Sequence, residues 1–398
     1  MKKTLLVLLS CMTIFSCMEK EIASGDVQTI AFSEKDTVSF SSYFKKFHCV
    51  QLEINDNCII PEIKKIENVD GTLFVLTNDN QLLAFNKSDG KYLYNIGRKG
   101  EGPKEYVEAS DFFITNDRKQ ICVVDFPTKD LKYYSLDGKF QKASKLGNEI
   151  NYIYNTEIAP DGKLITNNEI FDLKNSQKYA YTIIDLENNT KVNSIEPFDP
   201  LKSEDCSTFL AQKPFTKCGN ELTFIKIAND TLFKCNEDGD IYPAYKLNFK
   251  NKIFTKKQIA SLGSFNPLKT AMMADNEGFF AGINKLFETK DIVLVMPLLA
   301  EMSQGYYIID KNANGGIHIA VENDANAEIA KAIIGKSFIG MIGSDENEFI
   351  CSVPSEKIGW MKDAFQKDSK IKSFCPELKA VVEKADPEGN PLLIFYEH

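Results

Sequence analysis

The stretch Asn95-Ile-Gly-Arg-Lys-Gly-Glu-Gly-Pro-Lys-Glu-Tyr106 joins two apolar, strand-like runs, and its reading decides the fold. Gly97, Gly100 and Gly102 fall within six residues. Glycine lacks a Cβ and passes freely to positive φ, so this is a tight loop, with Gly100 and Gly102 expected at positive φ. Pro103 stiffens the exit. A phosphate cradle would need Gly-Lys-Ser/Thr opening a helix, but Lys104 is followed by Glu105 and Tyr106. A dinucleotide fingerprint would also need a helix, whereas the strand-like residues 109–115 follow. The loop reads as a connector between strands.

On either side of it a unit recurs: strand, Gly/Asp/Asn turn, strand, short loop, strand, turn. Thr72-Leu-Phe-Val-Leu-Thr77, Gln81-Leu-Leu-Ala-Phe-Asn86 and the run from Tyr92 form one copy. Gln120-Ile-Cys-Val-Val-Asp125 and Leu131-Lys-Tyr-Tyr-Ser135 begin the next. Asn86, Ser135, Asp185 and Asn236 hold the same place, at steps of 49, 50 and 51; Asp310 and Glu397 continue the series at 74 and 87. A period near 50 with several short strands per unit predicts an all-β, six-bladed β-propeller. The two long steps predict insertions in the last two blades. Residues 256–262, 326–334, 355–365 and 376–384 carry helical periodicity there. The last unit lacks an outer strand, and Phe47-His-Cys-Val-Gln-Leu-Glu53 has no blade of its own. This N-terminal strand is expected to complete the last blade and close the ring.

Gly97-Arg-Lys-Gly-Glu-Gly-Pro-Lys-Glu-Tyr106 resembles the G-x-x-G-x-G-P-x-E-[FY] connector of bacterial six-bladed β-propeller lipoproteins, an NHL-like family mostly of unknown function. Asn390-Pro-Leu-Leu-Ile-Phe-Tyr396 resembles its closing strand. The matches bracket roughly residues 40–398. Lys104 departs from the glycine common before the glutamate.

The chain start agrees. Lys2 and Lys3 precede a short apolar run, and Ile14-Phe-Ser-Cys17 resembles a lipobox. Residues 1–16 are read as a lipoprotein signal peptide, 17–40 as a lipidated tether and 41–398 as the propeller. Cys17 is the lipidation site and the expected membrane contact, since no stretch approaches the ~20 apolar residues of a span. Glu19 and Glu21 resemble the acidic start of surface-exported lipoproteins. The expected location is the bacterial outer membrane.

Composition limits the chemistry. A net charge of −9 without a Lys/Arg block argues against nucleic acid. Ten cysteines lack any C-x-x-C pair, which removes zinc-ribbon and thioredoxin readings. Cys122 reads as core, and Cys206 with Cys218 is the nearest plausible disulfide pair. Only His48, His318 and His398 supply imidazole, and no G-x-S-x-G elbow accompanies them. NHL-like lyases and lactonases hold a metal in the central channel, but histidine is too scarce here for a multi-histidine site. No cofactor or metal site is expected. Asp111, Asp125 and Asp185 recur near strand ends, where the competing readings are turn capping and paired-acid chemistry. On the connector, Arg98, Lys99 and Tyr106 are the candidate binding residues. Arginine forks carboxylates and phosphates, and tyrosine offers a ring with a hydroxyl tip. The alternative is that Arg98 pairs with a nearby acid and Tyr106 packs between blades.

The function expected is a monomeric, lipid-anchored, non-catalytic binding or scaffolding protein that engages a glycan, peptide or partner protein. The alternative is a hydrolase or lyase using channel acids, with or without a divalent metal.

Overall fold

The structure, a computed structural model, describes residues 27–39, 43–44, 46–150, 153, 155–167, 179–197, 213–225, 229–249, 253, 272–273, 276–280, 282–298, 306–313, 315–320, 340–367 and 376–397. Their regular secondary structure is nearly all strand. The chain opens with β1 (Gln28–Ser39) and β2 (Lys46–Gln51). Antiparallel meanders of four follow. The first is β3 (Ile63–Val69), β4 (Thr72–Thr77), β5 (Leu82–Asn86) and β6 (Tyr92–Asn95). The second is β7 (Asp111–Ile114), β8 (Gln120–Asp125), β9 (Asp130–Ser135) and β10 (Phe140–Lys145). The third is β11 (Thr156–Ile158), β12 (Leu164–Asn167), β13 (Tyr179–Asp185) and β14 (Thr190–Pro197). The fourth is β15 (Phe215–Cys218), β16 (Glu221–Ile225), β17 (Thr231–Cys235) and β18 (Ile241–Asn248). The fifth is β19 (Gly282–Glu288), β20 (Ile292–Leu298), β21 (Tyr306–Asp310) and β22 (Gly315–Ala320). The last joins β23 (Gly340–Ser344), β24 (Glu348–Val353) and β25 (Leu392–Glu397) to β2.

The repeat residues mark one structural place. Asn86, Ser135, Asp185, Asp310 and Glu397 end third strands, and Asn236 directly follows one. Side-chain oxygens there cap the next turn. Asp185 Oδ1 accepts from Glu187 N at 2.9 Å, and Asn236 Oδ1 accepts from Asp240 N at 2.9 Å. Such Asx turns satisfy the backbone where a strand reverses.

The middle strands are apolar on both faces because each sheet is covered on both sides. Leu73 and Val75 of β4 pack with Ile350, Leu393 and Phe395 of the last meander, while Phe74 and Leu76 pack with Phe112, Ile121 and Val123 of the second. Cys122 and Val124 meet Leu164 and Ile184 of the third, placing Cys122 in the core as expected. Three further clusters join the third meander to the fourth, the fourth to the fifth and the fifth to the last. Each buried aliphatic or phenyl side chain contributes roughly 1.5–3 kcal/mol. The arrangement is propeller-like.

The N-terminal strand completes the last sheet. Lys46 pairs with Glu397, His48 with Phe395 and Gln51 with Leu392, all antiparallel. Gln51 Nε2 donates to Asp386 O at 2.8 Å and Asn390 O at 2.9 Å. Asn390 is buried; its amide donates to Glu53 O and Cys58 O, both at 2.6 Å, and accepts from Ile60 N at 2.8 Å. The polar start of the expected closing motif thus fastens the two chain ends.

The tether is corrected. Within the expected 17–40 segment, β1 lies parallel between β18 and β22 and joins the fourth and fifth meanders into one nine-stranded sheet. Ile30 and Phe32 are buried in the cluster between them. Gly316 permits the passage, since a Cβ there would lie 2.6 Å from Ala31 O. Helices α1 (Ser355–Lys367) and α2 (Pro376–Lys384) occupy two expected insertions. They bury Ile358, Met361, Phe365 and Val382 in the core shared by the fifth and last meanders. The helices expected over 256–262 and 326–334 lie outside the described residues, as do Cys17, Cys206, Cys375 and His398. Among the described residues, no helix is long and apolar enough to cross a membrane.

Candidate functional site

The first strands of the first five meanders each carry charged side chains. β3 contacts β23, β7 contacts β11, and β19 contacts both β15 and β23. Charged side chains of these strands converge. Lys65 of β3 donates from Nζ to Phe112 O at 2.7 Å and Thr156 O at 3.1 Å. The same nitrogen lies 3.5 Å from Asp111 Oδ1 and 3.6 Å from Glu157 Oε2. One ammonium therefore ties the first three meanders. Asp111 Oδ2 accepts from Thr156 N at 2.6 Å and Thr156 Oγ1 at 2.8 Å. Burial disfavours the Lys65 ammonium, but attraction from Asp111, Glu157 and Glu67 outweighs it and raises its pKa. Glu67 is pushed up by burial and then by repulsion from Glu157.

Opposite them stand lysines. Lys213 lies two residues before β15, in a parallel bridge to Lys285 of β19. Lys217 of β15 hydrogen-bonds Asn116 Oδ1. Burial is the main cause that pushes the pKa of all three below the usual lysine range.

Away from this convergence, buried lysines are matched to acids within meanders and at the seams between them. Glu288, fully buried at the end of β19, has Lys311 Nζ 2.7 Å and Lys234 Nζ 3.3 Å from Oε1. Both ammoniums approach Oε1 at ion-pair distance without hydrogen-bond geometry. Its Oε2 accepts from Thr223 Oγ1 at 2.5 Å. Lys132 faces Asp125 and Asp130, and Lys87 faces Asp345 and Glu348. Among the described residues His48, Glu348 and Glu397 form the group with metal-ligand spacing, their ligand atoms within 4.8 Å of one another. The Lys87 ammonium contacts Glu348 directly and already supplies positive charge there. The His48 ring stacks on Phe395, with centroids 4.5 Å apart.

The connector is built differently from its expectation. Gly97 is the glycine at positive φ, 63°; Gly100 and Gly102 are not. Those two make room for the Glu105 carboxylate, which accepts from Gly102 N at 2.9 Å and pairs with the Arg98 guanidinium. Those two donors, Gly102 first, hold Glu105 below the usual carboxylate range. Gly100 N donates to Tyr106 O at 2.9 Å and Tyr106 N to Arg98 O at 3.1 Å. Tyr106 is 1 % exposed, and its hydroxyl accepts from Leu82 N at 3.3 Å. Burial pushes its pKa up to about 12. This corrects its placement as a ligand contact: Tyr106 packs between the first and second meanders. Arg98, 78 % exposed, and Lys99 remain on the surface.

Gly97→Ala is expected to destabilise by about 1–3 kcal/mol, because an alanine is strained at positive φ. Its Cβ would also lie 2.7 Å from the Tyr134 ring. Arg98→Ala should shift the melting temperature by no more than about a degree, as an exposed ion pair is worth little. Thermal melts check both; equal shifts would contradict this description of the loop.

Of the three aspartates singled out in the sequence, Asp111 belongs to the convergence. Asp125 accepts from Val107 N at 3.0 Å and Glu108 N at 3.3 Å. Asp185 caps its turn. Sequence reasoning missed Lys65, Glu67, Glu157, Lys213, Lys217 and Lys285. The available signal was charge set inside short runs just upstream of apolar strands, such as Lys64, Lys65 and Glu67 before Thr72-Leu-Phe-Val.

The fold and the convergence together define a nearly all-β, propeller-like protein whose first strands bring charged side chains together. The family model described as "Domain of unknown function (DUF4934)" matches residues 26–397, and the chain belongs to that family. The match begins just ahead of β1. In fold, the chain is similar to a "putative exported protein" from Bacteroides fragilis NCTC 9343, at 20% identity and TM-score 0.72, over 92% of this chain and 98% of that one. It is also similar to a member of the duf4221 family from Bacteroides vulgatus ATCC 8482, at 9% identity and TM-score 0.53, over 89% of this chain and 97% of that one. At these identities the likeness is one of fold alone. No curated protein matches the chain in sequence.

Proposed function

We propose that the protein is an exported, lipid-anchored binding protein, a six-bladed β-propeller held to the outer membrane through Cys17. The meanders are its blades, and the first strands line its central channel. The ligand, a glycan, peptide or partner protein, binds at the channel, and the protein itself is non-catalytic. One observation carries this reading: charged side chains of five meanders, Lys65, Asp111, Glu157, Lys213 and Lys285 among them, face one another where the inner strands meet. A fold built only for packing would favour apolar residues there. Asp111 has both oxygens engaged, which suits a fixed polar wall better than a general acid. The resemblance to an exported protein supports export, and the lipobox-like Ser16-Cys17 supports the anchor.

The test is capture from envelope fractions by the full chain and by two charge reversals. Lys217→Glu should abolish capture, whereas Arg98→Glu should leave it intact. Loss with Arg98→Glu alone would move the site to the connector. Retention in both would remove the proposed channel site. Cys17→Ser should release the protein from the membrane fraction; unchanged partitioning would remove the anchor.

A further inference from the structure

We propose that Lys213 and Lys285 form a receptor for an anionic group, a carboxylate or a phosphate, carried by the channel ligand. The inference rests on the channel reading and adds the chemistry of what enters.

The two lysines are cross-strand neighbours. Lys213 N donates to Asn284 O at 3.2 Å, and Leu286 N donates to Lys213 O at 3.0 Å, so Lys285 lies in register with Lys213. Like charges placed opposite each other on adjacent strands repel. Elsewhere in the fold such charge is answered. Lys65, Lys87, Lys132, Lys234 and Lys311 each have at least one carboxylate within 4.0 Å. Among the described residues, neither Lys213 nor Lys285 has an acid within that distance. Both are only partly exposed, so water screens them incompletely. Lys213 Nζ stands 5.8 Å from the centre of the Phe287 ring, a weak substitute for a counter-charge.

The acids that face the pair do not fill the gap. Lys213 feels Glu67, Glu157 and Asp111, but Lys65 lies within ion-pair distance of Asp111 and Glu157 and adds its own repulsion. Lys285 feels Lys213 first, and then Cys351 and Glu62. Burial pushes both amines towards the neutral form, and repulsion adds to it, from Lys65 at Lys213 and from Lys213 at Lys285. An anion between them would reverse that, and its affinity would fall as pH rises and the amines lose their protons. Lysine presents compact point charges, suited to a carboxylate or phosphate oxygen.

Inorganic phosphate and citrate are the probes, each titrated into the full chain against sodium chloride at equal ionic strength, with melting temperature as the readout. Wild type should be stabilised by at least one of them, and the effective one assigns the group. Lys213→Met and Lys285→Met should each weaken the response by about tenfold in apparent affinity, the loss expected for one charge-assisted hydrogen bond. Each variant without anion should melt at or above wild type, because repulsion is relieved. If a variant melts lower, Lys213→Arg decides: it should keep the response, and loss of the response would overturn the proposal. A variant that responds like wild type would also overturn it, as would a wild type that responds to neither probe. If capture still depends on Lys217 while neither anion acts, the channel reading survives without its anionic ligand.

Discussion

A chain that begins at residue 52 is expected to lose the cooperative thermal transition of the full protein. That cut removes β2 and with it six cross-strand pairs to β25. It also removes Phe44 and Val50 from the core, and the Gln51 bonds to Asp386 and Asn390. With Ile30 and Phe32 of β1 also gone, four buried side chains at roughly 1.5–3 kcal/mol each, plus an unpaired sheet edge, match the ~5–15 kcal/mol total stability of a typical domain. A chain beginning at residue 27 should melt like the full protein. A chain beginning at residue 40 should remain folded but melt lower, because it loses β1 with Ile30 and Phe32. Calorimetry of the three chains gives the order; equal midpoints for starts at 40 and 52 would refute closure by β2.

Glu288→Ala should cost about 3–5 kcal/mol, the scale for removing one partner of a buried ion pair. The carboxylate is fully buried, and its loss leaves Lys234 and Lys311 facing each other across the seam of the fourth and fifth meanders. For Lys234, burial opposes the charge, but attraction from Glu288 and Glu221 raises its pKa overall. A raised lysine pKa stabilises the fold below the unfolded value, near 10.4, and that stability is lost as pH rises through the folded value. The Glu288→Ala penalty should therefore hold through neutral pH and shrink in strong alkali. Urea unfolding measures it. Glu288→Leu combined with Lys234→Met should recover part of the loss, since apolar pairs can replace buried ion pairs. A single-variant cost below about 1 kcal/mol, as for an exposed pair, would contradict the buried network.

The repeat was legible because turn-capping residues recur at third-strand ends, where the backbone needs a side-chain acceptor. Asn86, Ser135, Asp185 and Asn236 carry that signal at nearly constant spacing. Closure by the N-terminal strand was legible because the last unit lacked a partner and residues 47–53 had none. The first strands were harder to see. Ile63-Lys-Lys-Ile-Glu-Asn-Val69 mixes charge into a short run, which weakens the alternation that marks a strand. Those charges are the candidate site, so the site was obscured by the feature that forms it. The connector drew attention through its glycines, but Gly100 and Gly102 serve close approach by Glu105, which sequence cannot separate from a need for positive φ. β1 reads as tether in the sequence because its run, Gln28 to Ser39, is polar outside Ile30-Ala-Phe32 and Val38. Its partners lie more than two hundred residues away.

Closure by β2 is the claim on which the architecture and the proposed channel both depend. Lys46 and Glu397 are exposed and directly opposite in the register, so a Lys46→Cys, Glu397→Cys double variant can test it without disturbing the core. The measurement is the 46–397 disulfide after mild oxidation, located by peptide mass mapping under non-reducing conditions. The antiparallel pairing predicts that this link forms in the folded chain as the dominant new disulfide. Two free thiols at these positions, or links only to other cysteines, would show that the ends do not pair and that the ring is closed by some other strand or not at all.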